Sequence, residues 1–541
     1  MAGKSFLQGA VVLGIAGLII KVMGAVFRIP LANIIGDTGM GYYQTAYPVY
    51  VLLLTLSTAG VPVAISKMVS ERNALGHSYE AYRVFRISFA LLFAIGISSS
   101  AVLFFGAGAI VNYLGNPGAK MAMMSIAPAL FFVPIMASFR GFFQGMQNMK
   151  PTAISQIVEQ LFRVIIGFTL AFFLVDQGLE YAAAGASFGA TAGAVAGLIA
   201  VGGMFLFYRT GTFKRISKPA GERGERSSKI LLQILVIAVP ITIGAAIMPI
   251  MNTIDVAIVI NRLTISGFTP EAANDLYGQL TGMAGPLINF PQVLTQAIAM
   301  SLVPAIAAAY KRRETDFLRY NVELGLRTSL IIGLPCALGL MTLSEPIMLL
   351  LYPAQKASAI SAAPSLFILS FGVIFLSTVQ ILTGVLQGMG KQLIPVRNLA
   401  IGAVVKVMLT HYLTAIPTIN IRGAAIGTVC AYIVASILNL MAVRKYTGAR
   451  FDFRLTIVKP GISGLTMSVA VFGVHRLLNF FFGSIIDSTN MANALATALA
   501  ILTGVVVYVF MLFATRAITS EELKLMPKGD KLIRIFARFK K

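Results

Sequence analysis

Six basic side chains lie inside long apolar segments of this sequence, where a charge is costly. They are Lys21, Arg28, Arg163, Arg327, Lys406 and Arg476. Each costs about 2.5–3.5 kcal/mol at the centre of a membrane-spanning helix, and less near its ends. Arg327 and Arg476 lie towards segment ends, from which their side chains are expected to reach the membrane surface. The other four are the stronger candidates for binding an anionic substrate.

Lys21 and Arg28 occupy the first apolar segment and are seven residues apart. On a helix they share one face, separated by about 10 Å. Their segment contains no acidic residue that could neutralise them. This pattern favours a water-filled cationic cavity that attracts an anion, over a pair of buried structural ion pairs.

Arg163 and Lys406 lie near the centres of two further segments, 243 residues apart. Glu159 precedes Arg163 by four residues, so the two side chains share a helical face and are expected to pair. Glu159 is therefore the candidate for an ion-pair or coupling role. A structural pair that holds helices together and an anion-binding site both remain open for Arg163.

Uncharged polar side chains add a weaker signal. The candidates for sugar contacts are Gln44, Tyr47, Asn252, Asn289, Gln292 and Gln296. Interhelical hydrogen bonds are the commoner use of such amides in membranes. Tyr43, Tyr47 and Tyr50 share one helical face, for which an interfacial aromatic belt is favoured over sugar stacking.

The elements that carry these residues are predicted to be transmembrane helices. The chain is 57% hydrophobic and only 12% charged, and apolar runs of about twenty residues are long enough to span a bilayer. Fourteen are predicted, at 7–33, 41–66, 87–113, 119–146, 152–175, 181–208, 230–255, 283–309, 319–344, 359–388, 395–417, 423–443, 459–482 and 491–515. The runs lack the alternation of a β-barrel, so the fold class is an all-α integral membrane protein.

The basic residues that give the chain its net charge of +23 are concentrated in alternate loops between the predicted helices. Alternate loops, with Lys4, Arg140 and Lys150, hold 33 of the 43 Lys and Arg residues. The basic loops are 67–86, 209–229, 311–319, 389–397, 444–459 and the tail 516–541. This positive-inside pattern places both termini in the cytoplasm and argues against nucleic acid as a partner.

The phrase G-x-x-Q-G-M occurs twice, in "GFFQGMQNMKP" from Gly141 and in "GVLQGMGKQLIP" from Gly384. Two further pairs of strings repeat at nearly the same offset. They are the Val-Pro pairs at 61–62 and 303–304, and "GASFG" at 185–189 with "GAAIG" at 423–427. This offset spans six predicted helices. Because six is an even number, the second copy has the same orientation as the first, which predicts two parallel lobes with a substrate site between them. The predicted domains are lobes 1–208 and 230–443, a basic linker 209–229, helices 13 and 14 within 444–515, and a basic amphipathic tail 516–541.

Motifs for enzymatic work are missing from the sequence. It contains no P-loop, no H-E-x-x-H and no cysteine cluster, so neither nucleotide hydrolysis nor a resident metal is expected. The chain is predicted not to be an enzyme and to use no cofactor. Transport driven by the membrane potential or by a coupling ion, H⁺ or Na⁺, is expected instead.

The stretches "KVMGAVFRIPLANIIGDTGMGYYQTAYPVY" and "LSTAGVPVAISKMVSERNALG" resemble the start of the polysaccharide biosynthesis proteins. These belong to the multidrug/oligosaccharidyl-lipid/polysaccharide (MOP) exporter superfamily, and the likeness extends to its stage V sporulation protein B group and its lipid II flippases. The resemblance implies a flippase of undecaprenyl-pyrophosphate-linked sugars, lipid II above all, that works by alternating access around a V-shaped cavity. It also implies that helices 13 and 14 form a groove for the lipid tail.

The resemblance further implies a multi-pass protein of the bacterial cytoplasmic membrane, active in peptidoglycan synthesis or sporulation. Its expected partners are the undecaprenyl-linked lipid, membrane lipids and cell-wall synthases, and a monomer is expected. One departure concerns the cations: lipid II flippases of this type carry essential ones in helices 1, 2 and 8. Here Lys21 and Arg28 match helix 1, but helices 2 and 8 have none, which leaves the substrate open.

Two other functions remain open at this point. A cation-coupled multidrug antiporter of the same superfamily would need an intramembrane carboxylate, for which Glu159 is the candidate near a helix centre. An exporter of another lipid-linked polysaccharide unit would use the same cations. A non-transporting assembly subunit finds no catalytic constellation to support it.

Overall fold

In a computed structural model, which describes residues 2–212, 225–449 and 451–517, every regular element is a helix. The α-helices are α1 (Ala2–Thr58), α2 (Val61–Ala74), α3 (Ser78–Tyr113), α4 (Lys120–Ile126), α5 (Ala129–Gly145), α6 (Lys150–Leu174), α7 (Leu179–Thr212), α8 (Ser227–Ile265), α9 (Pro270–Gly278), α10 (Gly285–Arg312), α11 (Thr315–Thr342), α12 (Ser344–Leu351), α13 (Lys356–Gly388), α14 (Leu393–Leu413), α15 (Arg422–Thr447), α16 (Lys459–Ile485) and α17 (Thr489–Ala514). Such a chain satisfies its backbone polar groups within each helix, as the membrane interior requires. The predicted all-α fold is confirmed.

The predicted number of membrane crossings agrees with the helices. Within the described residues, 13 ranges are long and apolar enough to span a membrane. The first of them, Ala16–Ala74, covers most of the first predicted segment and all of the second, which are divided by a kink at Gly36 (φ 65°, ψ −172°). Because only glycine adopts that backbone conformation without strain, Gly36 allows one long helix to turn into two crossings. The 13 ranges therefore account for all fourteen predicted segments.

Helix packing divides the chain into two compact units. The first comprises Met1–Met283 with Thr414–Asn420, and the second comprises Ala284–Leu413 with Ile421–Lys541. Helix α8 packs on α1 and α2 in the first unit, and α16 packs on α11 in the second. The predicted lobes, 1–208 and 230–443, follow the sequence repeat rather than packing, and their boundaries stay a prediction.

Each unit has its own buried core. In the first unit, the ring of Phe85 lies within 5.2 Å of the rings of Phe139 and Phe142, and 4.8 Å from that of Phe205. In the second, buried aliphatic side chains of α10, α11 and α13 pack together, among them Ile306, Val322, Ile381 and Val385. These cores fix the helices on which the candidate site residues lie.

Both copies of G-x-x-Q-G-M end a helix in the same way. Gln147 and Gly390, the residues that follow each phrase, have positive φ angles of 58° and 75°. Their amides donate to the carbonyls of Gln144 and Gln387, at 3.0 and 2.9 Å. A left-handed residue of this kind stops a helix and satisfies its last carbonyls. The repeated phrase therefore marks a helix end in both units.

The glycines of the phrase also provide close packing. A Cβ at Gly141 would lie 2.9 Å from the carbonyl oxygen of Pro62, and one at Gly384 would lie 2.9 Å from that of Ala299. Only a residue without a side chain allows such an approach between helices. Most of the predicted basic linker, at 213–224, and most of the predicted tail, at 518–541, lie outside the described residues.

Candidate functional site

A cluster of three charged side chains lies between α5 and α6 in the first unit. The Glu159 carboxylate accepts a hydrogen bond from Arg163 at 3.1 Å and another, on its second oxygen, from Arg140 at 2.9 Å. Arg140 also donates through Nε to Ser155 at 2.8 Å. All three charged side chains are at most 16% exposed. Two cations thus share one carboxylate, and the cluster keeps a net positive charge.

Helix α7 holds α6 in place through glycines. Gly189 and Gly193 are one turn apart, and a Cβ at these positions would lie 2.5 Å from the Arg163 carbonyl oxygen and 2.4 Å from that of Glu159. Glycines at every fourth residue let two helices approach to backbone contact. The position of the Arg163–Glu159 pair is therefore set by this contact with α7.

Lys406 occupies a similar local setting in the second unit. It is half-buried on α14, and the next helix approaches it through Gly427, whose added Cβ would lie 3.1 Å from the Lys406 carbonyl oxygen. Gly189 and Gly427 belong to the repeated "GASFG" and "GAAIG" strings. Each predicted site cation, Arg163 and Lys406, is thus packed against the matching glycine of its own unit.

The segment of α1 that carries Lys21 and Arg28 runs alongside α6. A Cβ at Gly24 would lie 3.4 Å from the Gln160 amide nitrogen, and one at Gly167 would lie 3.4 Å from the ring of Phe27. Lys21 is exposed and Arg28 half-buried. The structure therefore brings Lys21 and Arg28 onto a helix next to the one that carries Glu159 and Arg163.

Tyrosines surround the guanidinium groups. The Arg28 guanidinium lies 5.9 Å from the centre of the Tyr47 ring, within the range of a cation–π interaction. Tyr47 in turn stacks on Tyr43 at 5.8 Å and lies 6.0 Å from Tyr50. Arg163 has Tyr50, Tyr47 and Tyr43 as electrostatic neighbours. The predicted aromatic belt was wrong for Tyr43 and Tyr50, because both are buried.

Two buried polar atoms of this region make no hydrogen bond with any part of the chain that the structure describes. They are the hydroxyl of Tyr50 and Nε of Arg163. A buried polar atom without a partner costs about 1–3 kcal/mol, so such atoms are usually satisfied by water or a ligand. Both atoms are available to a polar group that enters beside Arg163.

The uncharged candidates of the first unit differ in environment. The buried amide of Gln44 donates to the Thr281 carbonyl at 2.7 Å and thereby makes an interhelical cross-link, the commoner use of such a group. Asn252 is exposed on α8. Tyr47 is half-buried next to Arg28, and is thus the uncharged candidate that the structure places with the cations.

The remaining candidates lie on one stretch of α10 in the second unit. Asn289, Gln292 and Gln296 are half-buried there. Between them, Thr295 donates to Gln380 of α13 at 2.9 Å. These amides share a polar stretch of α10, in the second unit. Arg327 of α11 is buried and donates to the carbonyl of Ala517, just beyond the end of α17.

Arg140 is a site residue that the sequence did not identify as one. It was grouped with the loop cations, yet it pairs with Glu159, 19 residues later. The available signal was the hairpin itself: a helix end marked by G-x-x-Q-G-M, a short turn and a returning helix place these positions on adjacent helices. A second missed feature is a buried network in which Asn116 donates to Asn274 at 2.7 Å and to Thr45 at 2.8 Å.

Comparison with known proteins agrees with this architecture. The sequence model of the family described as "Polysaccharide biosynthesis protein" matches residues 6–310, and the MatE model matches residues 281–412. Stage V sporulation protein B of Bacillus subtilis (strain 168) is 27% identical over 534 residues, which cover 98% of this chain and 100% of that protein. Lipid II flippase MurJ of the same organism is 27% identical over 527 residues, covering 94% and 95%.

The fold is also that of a solved structure. Lipid II flippase MurJ in an inward closed conformation aligns with a TM-score of 0.68 at 15% sequence identity, over 94% of this chain and 99% of that one. The matched family model covers more than half of the chain, and the relatives align along nearly all of it. The chain is therefore a member of the polysaccharide biosynthesis protein family, a multi-pass membrane transporter of the MOP superfamily.

Proposed function

We propose that this transporter flips undecaprenyl-pyrophosphate-linked saccharide, specifically lipid II for peptidoglycan synthesis, across the bacterial cytoplasmic membrane. The similarity to a lipid II flippase and to stage V sporulation protein B over nearly the full length supports this substrate class. The positive-inside pattern of the loops supports cytoplasmic termini. We propose that the transporter works as a monomer and passes its substrate to cell-wall synthases.

One observation carries the proposal: the first unit gathers more cations than carboxylates on its adjacent helices. Lys21, Arg28, Arg140 and Arg163 lie on α1, α5 and α6, and Glu159 is the carboxylate that pairs with two of them. Cations at membrane depth attract an anion strongly, because the surroundings screen them little. A pyrophosphate supplies such an anion while the lipid tail stays in the bilayer.

The residues have distinct roles in this mechanism. Arg163 presents a buried Nε that has no hydrogen-bond partner among the described residues, and a guanidinium binds phosphate oxygens with well-defined geometry. Arg28 is held against Tyr47, which places a second guanidinium and an aromatic face on α1. Lys21 extends the positive surface towards the start of that helix. Lys406 is proposed to serve the same purpose in the second unit.

The cycle needs an energy source, and the proposal assigns it to the membrane potential or to a coupling ion, H⁺ or Na⁺. Glu159 is the coupling candidate, because its protonation would release Arg140 and Arg163 from their shared partner. The unpaired guanidinium groups would then bind phosphate more strongly. Lipid II carries its negative charge outwards along with the head group, so an inside-negative potential favours its export.

A second candidate, a cation-coupled multidrug antiporter, is favoured by the match of the MatE model to residues 281–412. Such a pump needs a carboxylate that is free to bind a cation. Glu159 already accepts hydrogen bonds from two arginines, and therefore suits a cationic drug poorly. An exporter of a different undecaprenyl-linked saccharide would share the head-group site and differ only in its sugar contacts.

A transport assay with three substrates separates these functions. Purified protein in vesicles would be given fluorescent lipid II, an undecaprenyl-pyrophosphate lipid with a different sugar, or a cationic dye, with and without an imposed potential. The proposal expects lipid II to move faster than the other two. Faster movement of the other lipid would assign a different polysaccharide unit, and movement of the dye alone would assign an antiporter.

A further inference from the structure

A cavity of about 730 Å³ lies in the second unit, and neither Lys406 nor the polar stretch of α10 lines it. Its walls come from the end of α11, the start of α12, the second half of α16 and the start of α17. By the predicted topology these helix ends lie on the outer side of the membrane. The cavity is large enough for a small head group, and its polar and apolar walls suit an amphiphile.

Two opposite charges line this cavity without pairing with each other. Arg476 and Glu345 both contribute to its walls, and both are exposed. Within the described part of the chain, neither side chain takes part in an ion pair. Arg476 instead lies over the ring of Phe472, at 4.8 Å from its centre, which orients the guanidinium. Both charges are therefore available to a ligand.

Two further polar residues, His475 and Asn493, line the cavity. The Nε2 atom of His475 is buried and has no hydrogen-bond partner among the described residues. Asn493, beside this imidazole, donates to the Pro346 carbonyl at 3.1 Å and accepts from Thr497 at 3.4 Å. These bonds hold the amide in place and leave Nε2 of the imidazole unused. In the tautomer that carries its proton on Nε2, the imidazole can donate from that nitrogen to a ligand oxygen.

The adjoining surface of α16 is apolar and uncovered. Phe480, which lines the cavity, is 83% exposed, and Leu477, the residue after Arg476, is 71% exposed. In a membrane, side chains of this kind face acyl chains, whereas charges at a helix end lie among the head groups. The site thus has a polar part for a head group and an apolar part for its chains.

We infer that this cavity binds a zwitterionic phospholipid with an amine head group, such as phosphatidylethanolamine. Its phosphate would lie against Arg476 and Nε2 of His475, its ammonium against Glu345, and its acyl chains along Leu477 and Phe480. Charge decides between ligands: Glu345 repels a purely anionic head group, and Arg476 repels a purely cationic one. A choline head group lacks the N–H donors that Glu345 would accept. This inference does not depend on the proposed transport substrate.

Native mass spectrometry of the purified full chain tests the inference, with phosphatidylethanolamine, phosphatidylglycerol and phosphatidylcholine added at equal concentration. We expect the protein to retain phosphatidylethanolamine preferentially. Arg476→Gln and Glu345→Gln should each weaken its binding about tenfold, the size of one hydrogen bond to a charged group. Equal retention of all three lipids, or preference for phosphatidylglycerol, would overturn the inference.

Matched variants separate the site from general charge effects. Arg422→Gln and Asp487→Asn remove exposed charges that do not line the cavity, and they should leave lipid binding unchanged. Arg476→Lys and Glu345→Asp keep the charges and should retain most of the binding, which distinguishes loss of a ligand contact from loss of folding. If Glu345→Gln bound the lipid as tightly as the wild type, the assignment of the ammonium would be wrong.

Discussion

Glu159 accepts a hydrogen bond at 3.1 Å from Arg163, one turn later on the same helix. Its other oxygen accepts from Arg140 on the preceding helix. The carboxylate therefore holds two buried guanidinium groups and neutralises only one of them. This imbalance is the observation on which we propose an anionic substrate.

Glu159→Gln should destabilise the protein, because it leaves Arg140 and Arg163 buried without their shared counter-charge. Breaking a buried ion pair from one side costs about 3–5 kcal/mol. We expect a clearly lower midpoint of thermal unfolding in detergent. The control is Glu71→Gln, which breaks an exposed ion pair with Lys67. These two residues are also four positions apart in the sequence, and their charged atoms lie 3.9 Å apart. Equal stability of the two variants would contradict a structural role for Glu159.

Gly189→Ala should displace α6 and with it Arg163. The added Cβ would lie 2.5 Å from the Arg163 carbonyl oxygen, and overpacking of this kind costs about 1–3 kcal/mol. Gly202→Ala is the control on the same helix, because nothing lies within 4 Å of a Cβ there. The measurement is thermal unfolding, and a stable Gly189→Ala protein would show that α7 does not fix α6.

Tyr50→Phe should leave the stability of the protein unchanged or slightly higher. The Tyr50 hydroxyl is buried and makes no hydrogen bond with the described residues, so its removal eliminates a polar atom without breaking a bond. If the hydroxyl contacts substrate beside Arg163, lipid II transport should fall while the unfolding midpoint holds. A marked loss of stability would mean that a structural water or another group satisfies the hydroxyl.

Glu225 should stabilise the fold only above acidic pH. Partial burial raises the pKa of Glu225, but hydrogen bonds from Arg72 and Lys229, together with their charges, outweigh this effect and hold it below its usual value of 4.5. A lowered folded-state pKa contributes stability above the unfolded pKa, and the contribution is lost as pH falls through the folded one. Because the pair is partly exposed, the effect should stay below about 1 kcal/mol.

The comparison of wild type with Glu225→Gln checks this prediction. The difference between their unfolding midpoints should be constant from pH 7 to about pH 5.5 and should shrink as the pH falls below the usual carboxyl range. A difference that grew on acidification would show that the carboxylate is destabilising. Glu71→Gln again serves as the exposed control.

Local and compositional features of the sequence predicted much of the fold. Apolar runs of membrane length predicted the helices, because the bilayer imposes that length. The i, i+4 spacing predicted the pair of Glu159 and Arg163, and the doubled phrase predicted a repeat, whose two copies lie at matching helix ends. These relationships depend on neighbouring residues or on a repeat, both of which can be read along the chain.

Contacts between segments that are distant in the sequence could not be predicted in this way. The hydrogen bond from Gln44 to the Thr281 carbonyl joins residues 237 apart, and no spacing rule connects them. The helical spacing of the tyrosines predicted that they share one face of α1. Spacing does not show what covers that face, so the prediction of an exposed belt was wrong for Tyr50. The pairing of Arg140 with Glu159 required the geometry of the hairpin between α5 and α6.

The most direct test of the account is the initial rate of lipid II translocation in vesicles by Arg28→Gln and Arg163→Gln proteins. Each removes one proposed phosphate-binding cation, and Arg422→Gln, an exposed cation at the start of α15, is the control. Loss of a charged hydrogen bond predicts a rate lower by about tenfold or more in the two site variants and an unchanged rate in the control. Wild-type rates from folded Arg28→Gln and Arg163→Gln proteins would contradict the claim that these cations bind the substrate.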